Sequence, residues 1–246
     1  MQQFRADLHI HTVLSPCGSL EMSPGNIVRS ALNIGLDIIA ITDHNSTRQV
    51  SAVKRLAEKE GLTVIGGAEI NTSEEVHCLA LFENDEQLGE FQYFIDRNMP
   101  VYFNDPKRFG EQVIVDEFEN IIYEEPRLLI AGLNCGIFEV EKMVHSLNGL
   151  FIPAHIDRLY NGIISQLGFI PEELICDAFG LTRRAVLSDW ETSSKLPVNH
   201  VFLRNSDAHR PEDIGRQSSV FEMEKISFQE MKLALKGEGG RRVVVR

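Results

Sequence analysis

Residues 6–15 read ADLHIHTVLS, and this stretch is the starting point for both the fold and the candidate site. In a β-strand alternate side chains lie on the same face, so His9 and His11 are expected to project together, roughly 7 Å apart along the backbone. Two neutral imidazoles held in this way can bind one metal ion. A coincidental pair on a solvated strand face is the alternative, and the rest of the chain has to distinguish the two.

The composition is that of an ordinary globular protein. The chain has 246 residues, of which 43% are hydrophobic and 24% charged, enough for one large α/β domain or two small ones. Because no Ser/Gly-rich linker or low-complexity tract divides the chain, a single domain over residues 1–246 is expected. The first residues lack the apolar run of a signal peptide, and no apolar stretch approaches the roughly 20 residues that span a bilayer. These features predict a cytoplasmic protein that has no membrane partner.

Charge and cysteine usage exclude several classes of protein. The formal net charge is −12 at pH 7, which is the wrong sign for neutralising many phosphates, so no long nucleic acid is expected as a partner. Several acidic groups are instead expected to be offset by bound cations. The scattered cysteines form no CxxC pair, which argues against a zinc ribbon or a disulfide framework; they are Cys17, Cys78, Cys135 and Cys176.

Apolar runs and helical segments alternate along the chain. Ser23 with Pro24 is predicted to begin one helix, and Ser46 or Thr47 the next. The apolar runs are typical of strands buried on both faces, and they occupy 37–44, 62–70, 76–82, 149–155, 184–189 and 201–209. Repeated β-then-α units predict a parallel sheet that is closed, or nearly closed, into a barrel.

Residues 98–130 interrupt this rhythm. The piece QVIVDEFENIIYEE, residues 112–125, is typical of a β-hairpin, and the whole segment is interpreted as an insertion over one barrel end. Its aromatic residues are expected to belong to the core, with a lid that stacks on a nucleobase as the alternative; they are Tyr102, Phe103, Phe109 and Tyr123.

Metal-binding residue types collect at the ends of the predicted strands. They are His9, His11, Asp43, His44, Glu69, His77, His155, Asp207 and His209. Because the carboxyl ends of barrel strands converge on one mouth, these side chains are expected to meet in space. So many imidazoles and carboxylates are costly to bury unpaired, which favours bound metal ions.

Several pieces of the sequence resemble a known family. Five pieces are similar, in order, to the motifs of the polymerase and histidinol phosphatase (PHP) family of metal-dependent phosphoesterases. They are ADLHIHTVLS, GLDIIAITDHN, GGAEI with VHCLAL, LFIPAHIDR and NSDAHRPEDIG. The resemblance implies an α/β fold, a distorted (β/α)7 TIM-like barrel with an inserted segment. It also implies two or three divalent metal ions (zinc, manganese or iron) and hydrolysis of a phosphate ester by attack of a metal-bridging hydroxide.

The resemblance also implies roles for individual residues. The metal ligands would be His9, His11, His44, Glu69, His77, His155, Asp207 and His209, with Glu69 and Asp207 as bridging, catalytic carboxylates. Cys17 departs from the family pattern, which usually has aspartate or histidine at this position. A thiolate can bind zinc or iron, so Cys17 is predicted as a further ligand; a small buried thiol without that role is the alternative.

Arginines follow two of these motifs. Arg158 comes after PAHID and Arg210 after SDAH, where a guanidinium can bind a phosphate in bidentate fashion. Both are predicted substrate-binding residues, and Arg158 also a catalytic one; pairing with a neighbouring acid at the surface is the alternative. Asp7 and Asp43 flank predicted ligands and are expected to orient the imidazoles.

The sequence therefore predicts a PHP-type phosphoesterase that acts on a small phosphorylated metabolite or nucleotide. An amidohydrolase-like metal-dependent hydrolase is one alternative. A proofreading exonuclease-like role is a second, which the acidic balance and the absence of polymerase segments disfavour. A metal-binding regulatory module without catalysis is another, and intact ligand positions argue against it. Neither the identity of the ester nor the oligomeric state follows from the sequence.

Overall fold

The computed structural model describes residues 1–193, 196–197 and 200–245. Its strands are β1 (Gln2–Ile10), β2 (Ile38–Ile41), β3 (Thr63–Asn71), β4 (His77–Phe82), β5 (Val113–Val115), β6 (Ile121–Glu124), β7 (Leu150–Pro153), β8 (Phe179–Leu181), β9 (Phe202–Arg204), β10 (Ser219–Met223) and β11 (Arg242–Val245). Its α-helices are α1 (Pro24–Asn33), α2 (Val50–Glu60), α3 (Asp85–Asn98), α4 (Pro106–Phe109), α5 (Ile137–Ser146), α6 (Ile163–Leu167), α7 (Leu187–Glu191) and α8 (Phe228–Lys236). None of the helices in these ranges is long and apolar enough to cross a membrane.

The main sheet has the strand order β11-β10-β1-β2-β3-β4-β7. The pairs β1–β2 and β2–β3 are parallel, whereas β3–β4 and β4–β7 are antiparallel. The expectation of a parallel sheet is therefore wrong at β4. The connection between β3 and β4, residues 72–76, is too short for the crossover helix that a parallel neighbour requires.

Hydrogen bonds from the end of β1 and from the segment after β7 close a distorted barrel. The backbone of Ala208, beyond β9, receives a bond from His11 N at 3.0 Å and donates one to His9 O at 3.3 Å. On the opposite side, Ile156 N, beyond β7, donates to Gly180 O of β8 at 2.9 Å. Since β8 and β9 pair with each other, these bonds complete the ring. The distorted TIM-like barrel implied by the PHP resemblance is confirmed.

Alternate strand residues separate into two apolar clusters, one on each face of the barrel wall. The outer cluster includes Ile39 and Ile41 of β2 together with residues of α1, α2 and α3. The inner cluster includes Ile65 of β3, Leu79 of β4 and Ile152 of β7. This period of two fixes which side chains of each strand reach the barrel interior.

The helix starts agree with the sequence at α1 and differ at α2. Ser23 Oγ accepts a hydrogen bond from Asn26 N at 3.4 Å, so the predicted N-cap of α1 is confirmed. Helix α2 begins later than predicted, after Gln49. Thr47 does not cap it, because its backbone N and Oγ1 bind Gln92 Oε1 on α3 at 2.6 and 3.0 Å.

The apolar run at 184–189 is not a strand. It forms a loop and the start of α7, while the barrel strand in this region is β8. Short apolar runs have no periodicity that separates a strand from a helix, which explains the error.

The insertion contains the predicted hairpin, β5–β6. It packs beside the loop that follows β1, where Val113 N donates to Val13 O at 3.4 Å. The expectation that its aromatic residues belong to the core is wrong for several of them, since Tyr102 is 64% exposed and Phe103 72% exposed.

A histidine outside the barrel mouth links α5 to the segment before β8. His145 Nε2 lies 3.0 Å from Asp177 Oδ2, and Nδ1 contacts Glu141 on the same helix. The bond to Asp177 raises the pKa of His145 above its ordinary value. The protonated ring therefore stabilises the fold at low pH, and this contribution is lost as the pH rises through the raised pKa.

We expect His145→Gln to lower the free energy of unfolding by about 1 kcal/mol at about pH 6 and by less at about pH 9. Urea unfolding at both pH values measures the difference. His200→Gln is the matched control, because among the residues that the structure describes the ring of His200 bonds the Pro197 carbonyl and packs on Phe202, with no carboxylate partner. An equal loss at both pH values would contradict a charged link.

Candidate metal centre

A bulge in β1 brings His9 and His11 to the barrel mouth. The pairing of β1 with β2 shifts register between Asp7 and Ile10. Regular alternation would place Leu8 and Ile10 on one face, but Leu8 belongs to the inner cluster and Ile10 to the outer one. The bulge therefore adds one residue to the strand and lets both imidazoles follow Leu8 towards the interior.

Glu69 lies at the centre of the site. It follows Ile65 and Gly67 on the inner face of β3, and its side chain is 1% exposed. Its carboxylate oxygens lie 3.1–3.3 Å from ring nitrogens of His9, His11, His44, His77 and His155. His77 reaches this point from the first residue of β4, because the antiparallel direction of β4 puts its start at the mouth.

The spacing of one group of donor atoms fits a divalent transition-metal ion. His9 Nε2 and His11 Nε2 are 3.1 Å apart, and each lies 3.3 Å from Asp207 Oδ1. His9 Nε2 lies 3.2 Å from Glu69 Oε1, and His11 Nε2 lies 3.3 Å from the other oxygen of that carboxylate, Oε2. Four ligands that surround an ion tetrahedrally at about 2.0 to 2.1 Å are about 3.3 Å from one another. Mixed nitrogen and oxygen donors also suit zinc, manganese or iron.

Two further groups of donors share residues with the first. One consists of His44, Glu69 and His77; the other consists of His11, Cys17, His44 and His209, and in each group the donor atoms lie within 4.8 Å of one another. His44 Nδ1 is buried and has no hydrogen-bond partner among the described residues, although Glu69 Oε2 is 3.2 Å away. An unpartnered ring nitrogen aimed at a carboxylate fits a cation placed between them.

Burial and mutual contact set the protonation of these groups. Burial lowers the pKa of His44 well below its usual range and lowers that of His209 to about 4. Burial alone would raise the pKa of Glu69, but the rings of His9 and His77 hold this pKa well below its ordinary value. His11 differs from His44 and His209, because its contacts with Asp207 and Glu69 outweigh burial and raise its pKa well above the usual range. A metal ion bound to His11 would displace that proton, since an imidazole binds metal in its neutral form.

Cys17 lies at the outer side of the site. The residue as a whole is exposed, yet its Sγ belongs to the group formed with His11, His44 and His209. Burial of the sulfur raises the pKa of Cys17 to about 11. The structure thus brings the thiol to the predicted place; its role as a ligand stays a prediction.

Asp43 reaches a predicted ligand through another side chain. It accepts hydrogen bonds from Thr12 N and from Ser15 Oγ, each at 2.7 Å, and Ser15 Oγ lies 3.0 Å from His11 Nδ1. Ser15 is therefore a positioning residue that sequence reasoning missed. Its spacing of four residues after His11, in HTVLS, was the available signal.

Asp7 acts on the backbone rather than on an imidazole. Its carboxylate accepts bonds from Ser206 N and Gly215 N, both at 2.9 Å. Burial raises the pKa of Asp7 to about 6. Asp7 therefore holds the segment that carries Asp207.

The backbone is left-handed at two of the predicted ligands. His155 has φ 31° and Asp207 has φ 52°, in a region that a few per cent of residues other than glycine occupy, with histidine and aspartate among the more frequent types. Such conformations concentrate at functional sites, where surrounding contacts enforce them.

The predicted arginines line two different cavities beside the site. Arg158 Nη2 lies 2.9 Å from Asp207 Oδ2, in a cavity of about 750 Å³ that also contains His155. Arg210 lines a smaller cavity of about 290 Å³ together with Cys17 and His209. The structure therefore brings together all of the predicted site residues at one barrel mouth.

Comparison with known proteins identifies the family. The family model described as "PHP domain" matches residues 7–144, which is more than half of the chain. The chain belongs to the PHP domain family. This confirms the resemblance seen in the sequence motifs.

PHP relatives of similar sequence are longer than this chain. The uncharacterized protein YqxK of Bacillus subtilis (strain 168) is 24% identical over 277 residues, an alignment that covers 99% of this chain and 65% of YqxK. The chain therefore spans somewhat less than two thirds of that relative.

Solved structures share the PHP barrel. Endonuclease Q from Pyrococcus furiosus, described as lesion-specific, has a TM-score of 0.71 at 22% identity and covers 98% of this chain and 58% of its own. A structure from Bifidobacterium adolescentis, described as a metal-dependent phosphoesterase, has a TM-score of 0.58 at 18% identity. The match covers 83% of this chain and 87% of that one. These likenesses establish the fold.

The expectation that a long nucleic acid is not a partner is wrong. An endonuclease Q structure with a TM-score of 0.69 and 21% identity is a complex with a 27-mer duplex that has an abasic lesion at the active site. A net charge of −12 sums over the whole surface and does not describe one cavity. In this chain the larger cavity is lined by Arg158, Arg183, Arg184 and Arg216.

Proposed function

We propose that this PHP chain is a metal-dependent hydrolase of phosphate ester bonds. The observation that carries the proposal is the set of 3.1–3.3 Å distances among His9 Nε2, His11 Nε2, Glu69 and Asp207 Oδ1, beside the Arg158 guanidinium. Sites that only stabilise a fold are usually closed, whereas residues of this one line two open cavities.

The residues have distinct roles in the proposed site. Glu69 belongs to two of the donor groups and would be the carboxylate shared between ions, whereas Asp207 belongs to one group and its bridging role stays a prediction. The imidazoles complete the ligand set. Divalent ions held there supply positive charge for the phosphate oxygens and a water of lowered pKa. Arg158 binds a phosphate oxygen and thereby leaves its contact with Asp207. Ser15 and Asp43 keep the ring of His11 in its ligand orientation.

A phosphodiester within a nucleic acid is the substrate that we favour. A diester carries a group on each side of the phosphorus, and two cavities adjoin the cluster: one of about 750 Å³ at His9, His155 and Asp207, and one of about 290 Å³ at Cys17 and His209. The likeness to endonuclease Q in its DNA complex supports this choice. A small phosphorylated metabolite or nucleotide is the second candidate, because about 750 Å³ is also the size of an ordinary small-molecule site.

A substrate panel after metal reconstitution tests the proposal. It includes single-stranded and abasic-site oligonucleotides, bis(4-nitrophenyl) phosphate, 4-nitrophenyl phosphate and phosphorylated metabolites. A series of simple amides is assayed beside them. Hydrolysis of diesters supports the favoured substrate, and hydrolysis of monoesters alone supports the second candidate. Turnover of amides only, or of nothing, would contradict the proposal in favour of an amidohydrolase or a regulatory module.

Cys17 gives a prediction that does not depend on turnover. If its sulfur binds a metal ion, a thiol reagent will leave Cys17 unlabelled in metal-loaded protein and will label it after chelation. Cys78 and Cys135 are buried, so Cys17 dominates the labelling. Mass spectrometry of tryptic peptides measures it, with Cys176→Ser removing the half-buried thiol.

Labelling of Cys17 that is indifferent to chelator would show a thiol without a ligand role. We also expect Cys17→Asp to keep several ions bound but to shift preference from zinc or iron towards manganese, because a hard oxygen replaces sulfur.

A further inference from the structure

The loop that follows His155 presents two exposed apolar side chains beside the metal centre. Leu159 is 83% exposed and Tyr160 78% exposed. Both line the larger cavity, which also contains Asp207. Scattered surface apolar residues are ordinary, but adjacent ones on the wall of a cavity at a reaction centre are suited to contact a ligand.

This loop is anchored at both ends. On one side Arg158 N donates to His155 O at 2.9 Å, and the Asp157 carboxylate accepts from Thr182 N at 2.8 Å. On the other side Asn161 O accepts from His77 N at 2.8 Å. The loop therefore holds Leu159 and Tyr160 out into the cavity without needing to be ordered by a ligand.

The same cavity wall carries positive charge that the protein does not neutralise. Arg216 pairs with Asp213. Arg183 and Arg184 are exposed and line the cavity, and among the residues with described positions neither of them forms an ion pair. Two free guanidiniums next to an exposed aromatic ring match a strand that has both phosphates and bases.

We infer that Tyr160 stacks on an unpaired nucleobase adjacent to the scissile phosphodiester, with Leu159 packed against it and with Arg183 and Arg184 on the phosphates of the same strand. This inference rests on the proposed phosphodiester activity and adds the recognition of the base. An aromatic side chain in a basic groove is the general arrangement for binding single strands.

The inference also specifies the form of the nucleic acid. A base inside a duplex is already stacked on both faces, so Tyr160 can contact only a base in a single strand or loop, or one extruded from a helix. The exposed aromatics of the insertion are not among the residues that line either cavity beside the cluster, and they are not assigned this role.

Binding to metal-loaded protein tests the inference. The probe is a single-stranded oligonucleotide that contains 2-aminopurine, whose fluorescence falls on stacking, mixed rapidly so that binding is recorded before turnover. We expect Tyr160→Ala to bind about 10-fold more weakly and to lose the fluorescence change, and Tyr160→Phe to keep both. Replacing Arg183 and Arg184 together by Ala should reduce the dependence of log Kd on log salt by about one to two.

Tyr102→Ala is the matched control, because Tyr102 is 64% exposed and lies in the insertion; it should bind as the wild type does. Wild-type affinity in Tyr160→Ala, or equal affinity for a fully paired duplex, would overturn the inference. Hydrolysis of bis(4-nitrophenyl) phosphate, which has no nucleobase, is followed in parallel. Its absence, together with the expected stacking signal, would refute the proposed activity and leave the base contact standing.

Discussion

Glu69→Gln is expected to lower turnover at least about 1,000-fold, equivalent to about 4 kcal/mol in the activation barrier. One carboxylate faces ring nitrogens from several different strands at 3.1–3.3 Å. An amide of the same shape keeps the packing but removes the charge that would be shared between ions. Metal content should fall with activity, and the melting temperature of the stripped protein should change little. Steady-state kinetics and elemental mass spectrometry measure the two effects.

Glu90→Gln is the control for this prediction, because it makes the same chemical change at an exposed position on α3. Asp207→Asn should behave as Glu69→Gln does. If either variant retains near wild-type turnover with full metal content, that carboxylate does not bridge ions.

Chelation is expected to abolish turnover, and reconstitution with zinc, manganese or iron to restore it. The three overlapping donor groups offer more ligand atoms than one ion accepts, so protein purified without chelator should contain more than one transition-metal equivalent per chain. Elemental mass spectrometry and activity on the same sample measure this.

Calcium is the control ion, since it prefers six to eight oxygen ligands and should not restore activity to a site rich in imidazole. Full turnover by protein with less than about one-tenth of an equivalent of metal would show that the reaction does not use the cluster.

The site was more predictable from sequence than the fold that holds it. The rule that the carboxyl ends of barrel strands converge at one mouth brought together residues as distant as His9 and Asp207. The rule depends on strand direction, and His77 shows this: at the start of a parallel strand it would lie at the opposite end of the barrel, and the antiparallel direction of β4 is what brings it to the mouth.

Other features depended on tertiary contacts that a sequence does not display. Thr47 was a reasonable helix cap until Gln92 on α3 is seen to bind it. The bulge between Asp7 and Ile10 arises from pairing with β2, so the inward direction of His9 and His11 was expected for a simpler reason than the real one. Net charge failed as a guide to partners, because Arg183 and Arg184 concentrate positive charge in one cavity.

The position of the cluster along the chain has a consequence for how the protein folds. Glu69 and His77 lie on the two strands of one local hairpin, β3–β4, in which Glu69 pairs with Leu79 and Asn71 with His77, and a growing chain can form this hairpin early. The contact between His9 and Asp207 joins the first strand of the barrel to the segment after β9, so it can form only when almost the whole chain is present. Glu69 and His77 are therefore placed by a local hairpin, whereas His9 and Asp207 meet only when the barrel closes. Tight metal binding needs both pairs, so it should appear only in protein that has completed folding.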